Sequence, residues 1–418
     1  MTFTLTSSTR TGWLSQFSLT DLSLAQSLAD SLRFVSDVEL KTSLAQKLTQ
    51  VLSEMDSPAA LFVEREQKHP AGKTQRLYKQ RTHPPKTAYG VAAGPVVPKF
   101  DYDPKVGSEG VIAQFLSQFC KEHPKHLFHP TVKKCIERKV RRFVLVTDII
   151  GSGERTTDWL ESAWRTATLR SWHSYGLLRF EIVAFTATEL GEEVVTSHPS
   201  SPTVRYCLSC PTIDSEFQTK KAQQIKDLCL RKDPIGPDPK ESLGYHGTAS
   251  LIAFAHSIPN NVPRLLFESA DGWRPLFHKR ITRGRFEEIT SSAEVDLRRL
   301  ERLRHRRLAA AVRRKMKREN IRKTLLFLAA SSRSPRTAAA LSRKTGLLID
   351  EIARMQDVSI KAGWSDTSGR LTDAGQRELE HARMAGKVGK LGRLPGSDEP
   401  YYPQMLRAPH KSHLVQPG

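Results

Sequence analysis

The sequence predicts an α/β fold: a parallel sheet covered by helices, with helical segments before and after it. Residues 143–146 are four consecutive apolar residues that stop at Thr147-Asp148, the pattern of a strand buried on both faces. Ile149 and Ile150 keep the chain packed until Gly151-Ser152-Gly153 breaks it. Beyond the glycines, Trp159, Leu160, Ala163, Trp164, Ala167 and Leu169 recur at helical spacing. They predict a helix over 157–172, with Thr156 or Asp158 as its cap. The stretch 179–185 (RFEIVAF) reads as the next strand and completes a strand–loop–helix–strand unit. Anions bind at such loops, where backbone amides converge as a strand hands over to a helix.

The chain has 418 residues, enough for two or three domains and a sizeable core. Its formal net charge is +21 and its isoelectric point about 9.9, which calls for a polyanionic partner, nucleic acid first. The opening residues lack a basic segment followed by an apolar one, so no secretory signal is expected. The longest apolar stretch, 325–330, is far too short to cross a bilayer. Five cysteines without a disulfide pattern fit the reducing cytoplasm.

In chain order, residues 20–55 carry two leucine-rich stripes at helical spacing, separated near Ser36-Asp37 with Asp37 as the cap. They predict a helical layer packed on the next domain, or an oligomer contact. Residues 59–63 read as a short strand. Residues 68–86 interleave Lys73, Arg76, Lys79, Arg81 and Lys86 with Tyr78, as a nucleic-acid contact or a solvated loop would. Gly107-Ser108-Glu109 opens a helix running through Phe119, with Ser108 as cap, and is a second candidate anion site. Cys207-x-x-Cys210, Cys229 and His246 lack the two close pairs of a structural zinc site, so no metal site is expected there.

Residues 143–156 resemble the ribose-5-phosphate motif of phosphoribosyltransferases: strand, acidic pair, two apolar residues, then a small glycine-containing loop. The resemblance implies that Asp148 is the catalytic-site residue holding the ribose hydroxyls, with magnesium nearby. It implies that Thr147, Gly151, Ser152, Gly153, Glu154, Arg155 and Thr156 surround the ligand, the loop amides cradling its 5′-phosphate. Three departures stand out: Thr147 replaces the first acid, Gly151 replaces the acid that serves as a base, and the loop is one residue longer. Ligand binding therefore follows more directly than base-salvage catalysis, and no general base is evident. Further on, His256, the turn Pro259-Asn260-Asn261-Val262-Pro263, a short strand over 265–267 and Trp273-x-Pro-Leu-Phe277 resemble phosphoribosyltransferase-fold effectors of bacterial conflict systems. Some of those stand beside retron reverse transcriptases in antiphage defence. His256, Asn260 and Asn261 are the pocket candidates from this stretch; the two asparagines also suit the turn itself.

From 294 to 323 strong helix formers run without Pro or Gly, predicting a basic helix. Arg302, Arg306, Arg307, Arg313, Arg314, Lys315, Lys317 and Arg318 are its candidate nucleic-acid contacts, meeting phosphates without sequence choice. Helical stretches over 321–330, 336–344 and 348–361, then Gly363-Trp364, the run Arg370-Leu371-Thr372 and a helix over 373–384 resemble a winged helix-turn-helix domain. Asp350, Glu351 and Asp357 on its presumed recognition helix oppose a DNA backbone, so a grip on protein or structured nucleic acid is expected instead. The remainder, with Tyr401-Tyr402, reads as a flexible tail.

The expected organisation is a helical layer over 1–58, a phosphoribosyltransferase-like domain over 59–289, a basic region over 290–330, a winged helix over 331–388 and a tail over 389–418. The resemblance implies an antiphage effector acting on the glycosidic bond of a phosphoribosyl or nucleotide ligand. Its implied partners are a reverse transcriptase and its DNA–RNA hybrid, and a homo-oligomer is open. The alternative is a non-catalytic nucleotide-sensing regulator that binds nucleic acid through the winged helix.

Overall fold

Side chains of the strand Arg142–Ile150 alternate between two apolar layers, and this alternation positions everything else. Phe143 and Leu145 enter one layer with Phe62, Trp159, Leu160 and Ile182. Val144 and Val146 enter the other with Leu61, Leu44, Leu48, Ile112 and Leu116. Both faces being covered, the strand reads as one uninterrupted apolar run. The structure, a computed structural model, describes residues 2–66, 69, 72–93, 107–289, 293–316 and 318–384. Lys317 and Tyr401-Tyr402 lie outside the described residues, as do Lys68 and the expected tail.

The central sheet has five strands in the order Leu127–Phe128, Ala59–Val63, Arg142–Ile150, Arg179–Ala187, Thr203–Ser209, all parallel. Helices Asp37–Ser53 and Ser108–Glu122 cover one face, and Glu154–Trp164 with Ala167–Ser174 the other. The N-terminal segment is woven in by backbone pairing. Strand Arg33–Val35 runs parallel to Ile252–Phe254, and Thr2–Leu5 runs antiparallel to Phe286–Ile289. Helices Ser7–Leu14 and Leu19–Asp30 share a third apolar cluster with helix Thr219–Arg231, Leu265, Leu266 and Phe277.

Six helices form the C-terminal part around a fourth cluster: Ala293–Arg302, Arg306–Lys315, Glu319–Ser331, Ala338–Thr345, Ile349–Lys361 and Asp373–Met384. An antiparallel bridge between Ser365 and Leu371 makes the wing. This domain covers the exposed edge of the sheet. Ser342 Oγ accepts from Ser209 N–H at 3.1 Å, and Ser209 Oγ donates to Ala339 O at 2.9 Å. A paired edge is no longer a template for another strand.

Several expectations change. The helix after the glycine loop starts at Glu154 and breaks at Arg165, whose guanidinium turns to the Thr74 carbonyl; its cap is Gly153, in the left-handed region at φ 84°. Ser36, not Asp37, caps the helix Asp37–Ser53, accepting from Glu39 N–H. Gly107, not Ser108, is the cap of Ser108–Glu122. Tyr78 is core, 1% exposed, donating to Pro130 O at 2.9 Å, so no base stacks on it. The segment at 265–267 is a 3-10 turn, Arg264–Leu266, with Arg264 tied to Asp233 at 3.0 Å. The single basic helix is a hairpin followed by a third helix. A straight rod would leave Leu297, Leu300, Leu308 and Val312 in water, whereas the reversal at Arg304 (φ 63°) buries them against one another.

Candidate functional site

Two carboxylates meet at the C-terminal ends of neighbouring parallel strands, where α/β sheets commonly bind ligands. Asp148 sits on Arg142–Ile150; Glu64 follows Ala59–Val63 directly and continues its ladder through Glu64 N–H to Val146 O at 3.2 Å. Each is 5% exposed. Thr147 Oγ1 donates to Glu64 Oε2 at 2.9 Å and lies 3.3 Å from Asp148 Oδ1. Thr156 Oγ1 donates to the other oxygen of Glu64. Ile149 N–H donates to Asp148 Oδ1 at 3.0 Å, and Asp148 Oδ2 is 3.0 Å from His256 Nε2.

These surroundings push the two acids in opposite directions. Burial dominates at Glu64 and raises its carboxyl above the ordinary range, against the Arg155 charge and the two threonine hydrogen bonds. Burial works the same way on Asp148, but the His256 hydrogen bond and charge, with Arg155, prevail and hold it below the ordinary range. Asp148 takes up His256 Nε2, which leaves Nδ1 as the ring nitrogen turned away from the pair. That Nδ1 is buried and has no hydrogen-bond partner among the described residues. The imidazole is further fixed by stacking on Phe254, at 5.1 Å between centroids.

The helix start at Gly107-Ser108-Glu109 is brought to the glycine loop. Glu109 Oε1 accepts from Arg155 Nη2 at 2.7 Å and from Glu66 N–H at 3.2 Å. Asn261 is buried against Gly151, where an added Cβ would stand 2.2 Å from its amide nitrogen. The same amide donates to Thr248 Oγ1 at 3.3 Å. Tyr245 Oη donates to Glu154, and His246 Nε2 lies 3.3 Å from the same carboxylate. Ser152 Oγ accepts from Glu154 N–H at 3.4 Å. The mouth of the loop is therefore filled by the protein's own side chains, and two cavities of about 500 and 440 Å³ among the described residues lie elsewhere.

Two expected site residues are placed differently. Asn260 is exposed and reaches the site only through its carbonyl, which accepts from Tyr245 N–H at 2.9 Å. Thr156 faces Glu64 rather than the loop mouth, because it lies within the helix instead of capping it. Glu64 and Tyr245 were not legible beforehand: each is a lone polar residue whose role appears only when strands and loops are brought together. Arg280 is a third; its positive charge is disfavoured by burial and supported by Asp148, and its backbone is left-handed at φ 63°.

The carboxylates that the magnesium implied by the resemblance would use are Asp148 and Glu64, such an ion being held by one or two carboxylates together with ligand phosphates. Asp148 and Glu64 commit their oxygens to internal donors, and among the described residues no group of three or more His, Cys, Asp or Glu is placed to hold a metal.

Among the candidate nucleic-acid contacts, Arg306, Arg307, Arg313, Arg314 and Arg318 are exposed. Arg302 is not: it pairs with Glu216 and donates to the Lys344 carbonyl. The side chain of Lys315 lies outside the described residues. On the presumed recognition helix, Asp350 accepts from Lys47 at 2.6 Å and Glu351 from Lys323 at 2.9 Å. Its first turn is thus docked on the rest of the protein. No described helix is long and apolar enough to cross a membrane.

The sequence matches the family described as PRTase-CE over residues 11–279, and the one described as wHTH-PRTase associated over residues 325–408. No curated protein and no solved structure matches it.

Proposed function

Because the chain belongs to the PRTase-CE family and carries the associated winged helix, we propose that it is an antiphage defence effector, retron-associated, acting on a phosphoribosyl or nucleotide ligand. The observation that carries this reading is the Asp148–His256 pair at the end of the central strand, 3.0 Å apart and beside the glycine loop. In this reading Asp148 orients the ribose hydroxyls, and Glu64 supplies the acid that Thr147 lacks. The amides at the start of the helix Glu154–Trp164 hold the phosphate. His256 Nδ1 is the proton acceptor. As the attacking atom of water or another acceptor bonds C1′, its proton passes to Nδ1, and the leaving group departs with the bonding pair.

The filled loop mouth fits a resting state. Asn261 and Tyr245 must move away from Gly151 and Glu154 for ligand to enter, and a complex with a reverse transcriptase and its DNA–RNA hybrid would hold them in place until infection. The exposed arginines of the helix Arg306–Lys315, with Arg318 just ahead of the next helix, give that complex its electrostatic grip. The regulator reading loses ground where Asp350 and Glu351 are spent on Lys47 and Lys323.

Expression of the protein alone decides between the two. An effector arrests growth and changes the nucleotide pool, and Asp148→Ala removes both effects. A harmless wild-type protein whose DNA affinity shifts with nucleotide establishes the regulator instead.

A further inference from the structure

Between the sheet domain and the C-terminal helices lies a cavity of about 500 Å³, within the size range of small-molecule sites. It shares no residue with the Asp148 site. Seven of its lining residues are arginine or lysine and three are aspartate or glutamate. Each of the three acids already has a partner: Asp30 has Arg10 at 2.9 Å, Glu301 has Arg313 at 3.7 Å, and Glu216 has Arg302. Of the cations, Arg33 is also taken, by Glu39, and Arg343 by Glu189.

Arg299 is left over. Among the described residues its guanidinium has neither a hydrogen bond nor an ion pair, although it is half-buried. It lies flat over Gly346, where an added Cβ would stand 2.0 Å from Nη2, so the glycine makes room for it. Burial is the main force against its positive charge; Glu216 and Asp296 favour the charge from a distance, and Arg33 and Arg302 oppose it. Arginine does not answer such a penalty by giving up its proton. A half-buried, unpaired guanidinium facing a cavity is costly unless an anion meets it.

We propose that this cavity binds a small oligophosphate, with Arg299 as its anchor and Arg298, Arg306 and Lys221 around it. The excess of cations suits several phosphate charges better than one carboxylate, and guanidinium forks match phosphate oxygens. The volume suits a nucleotide-sized ligand and excludes a nucleic-acid duplex. Arg33 and Lys221 belong to the first part of the chain and Arg299 and Arg306 to the helices after it, so a ligand here clamps the two together.

Titration calorimetry of the full-length protein with inorganic tripolyphosphate at low salt tests this. Wild type binds, and Gly151→Ala, whose added Cβ fills the mouth of the phosphate loop, binds equally, which separates this site from the one proposed above. Arg299→Met weakens binding at least about tenfold. Lys221→Glu, at an exposed rim position, weakens it several-fold and decides the matter should Arg299→Met not fold. The proposal is overturned if wild type does not bind or if Lys221→Glu binds like wild type. It is equally overturned if only duplex DNA binds in an Arg299-dependent way, which would mark a nucleic-acid interface.

Discussion

Thr147 Oγ1 donates to Glu64 Oε2 at 2.9 Å across the parallel ladder between two neighbouring strands. The residue that takes the place of an acid is thereby hydrogen-bonded to an acid from the next strand. The site keeps two carboxyls, but one arrives from the side rather than along the chain. Glu64→Ala is therefore expected to cost activity as severely as Asp148→Ala, in the range of about 100-fold or more that positioned proton-transfer and orienting groups supply. Nucleotide turnover by the purified variants checks this; wild-type rates for Glu64→Ala would reduce Glu64 to a packing residue.

The opposite shifts of the two acids give a signed pH prediction. Glu64 is raised in the folded protein, so its share of stability is fully present below its ordinary value of 4.5 and is lost as pH rises through the raised value. Asp148 is lowered, so its share is present above its ordinary value of 3.8 and is lost as pH falls through the depressed one. The melting temperature of Glu64→Gln relative to wild type should therefore improve as pH rises from about 4 towards neutrality. That of Asp148→Asn should worsen as pH rises out of the acid range. Thermal unfolding across this window reads both slopes, and a pH-independent difference for either variant contradicts its assigned environment.

Much of this was legible in the chain because it is local. The run Phe143–Val146, the turn glycines and the helical spacing after them specify a strand, a loop and a helix within a few residues of one another. The winged helix was readable for the same reason, its helices being short, periodic and separated by turn residues. What escaped depends on strand order and chain reversal. Arg142 reads as one of a basic run, yet it is 1% exposed and bonds Glu181 on the next strand at 2.8 Å. Charge density at 294–323 likewise reads as one solvated helix. Only the burial of Leu297 against its neighbours reveals the hairpin.

The Arg142–Glu181 pair supplies its own test. Arg142 Nη2 also donates to Val51 O at 2.8 Å, so the guanidinium ties the sheet to the helix covering it. Removing one partner strands the other charge inside the protein. Glu181→Ala should destabilise by about 3–5 kcal/mol. Denaturant unfolding measures the loss; a cost under about 1 kcal/mol would mean that water reaches Arg142 in the variant.

The filled loop mouth predicts a gain of activity on mutation. Asn261 lies on Gly151, and Tyr245 holds Glu154, so each keeps the proposed phosphate cradle covered. Asn261→Ala clears the space over Gly151 without touching Asp148 or His256. It should tighten nucleotide binding roughly as much as closure had weakened it, which for a gate worth 1–2 kcal/mol is about 5–30-fold. Gly151→Ala is its counterpart, since its Cβ would occupy the place of the Asn261 amide and fill the mouth permanently. Calorimetric titration of both variants decides; equal affinities for Asn261→Ala and wild type would show that Asn261 gates nothing.

The exposed arginines separate affinity from architecture. Arg306 and Arg307 stand in solvent at the start of their helix, whereas Arg302, at the end of the preceding helix, is bonded to Glu216 and to the Lys344 carbonyl. Arg306→Ala and Arg307→Ala should weaken nucleic-acid binding uniformly across sequences and each lower the salt slope by about one. Arg302→Ala should instead loosen the contact between the sheet domain and the C-terminal helices, lowering the melting temperature before it alters the salt slope. Filter binding over a salt series, alongside thermal unfolding, distinguishes the two classes. A salt slope unchanged in the Arg306→Ala, Arg307→Ala double variant would move the nucleic-acid surface away from this hairpin.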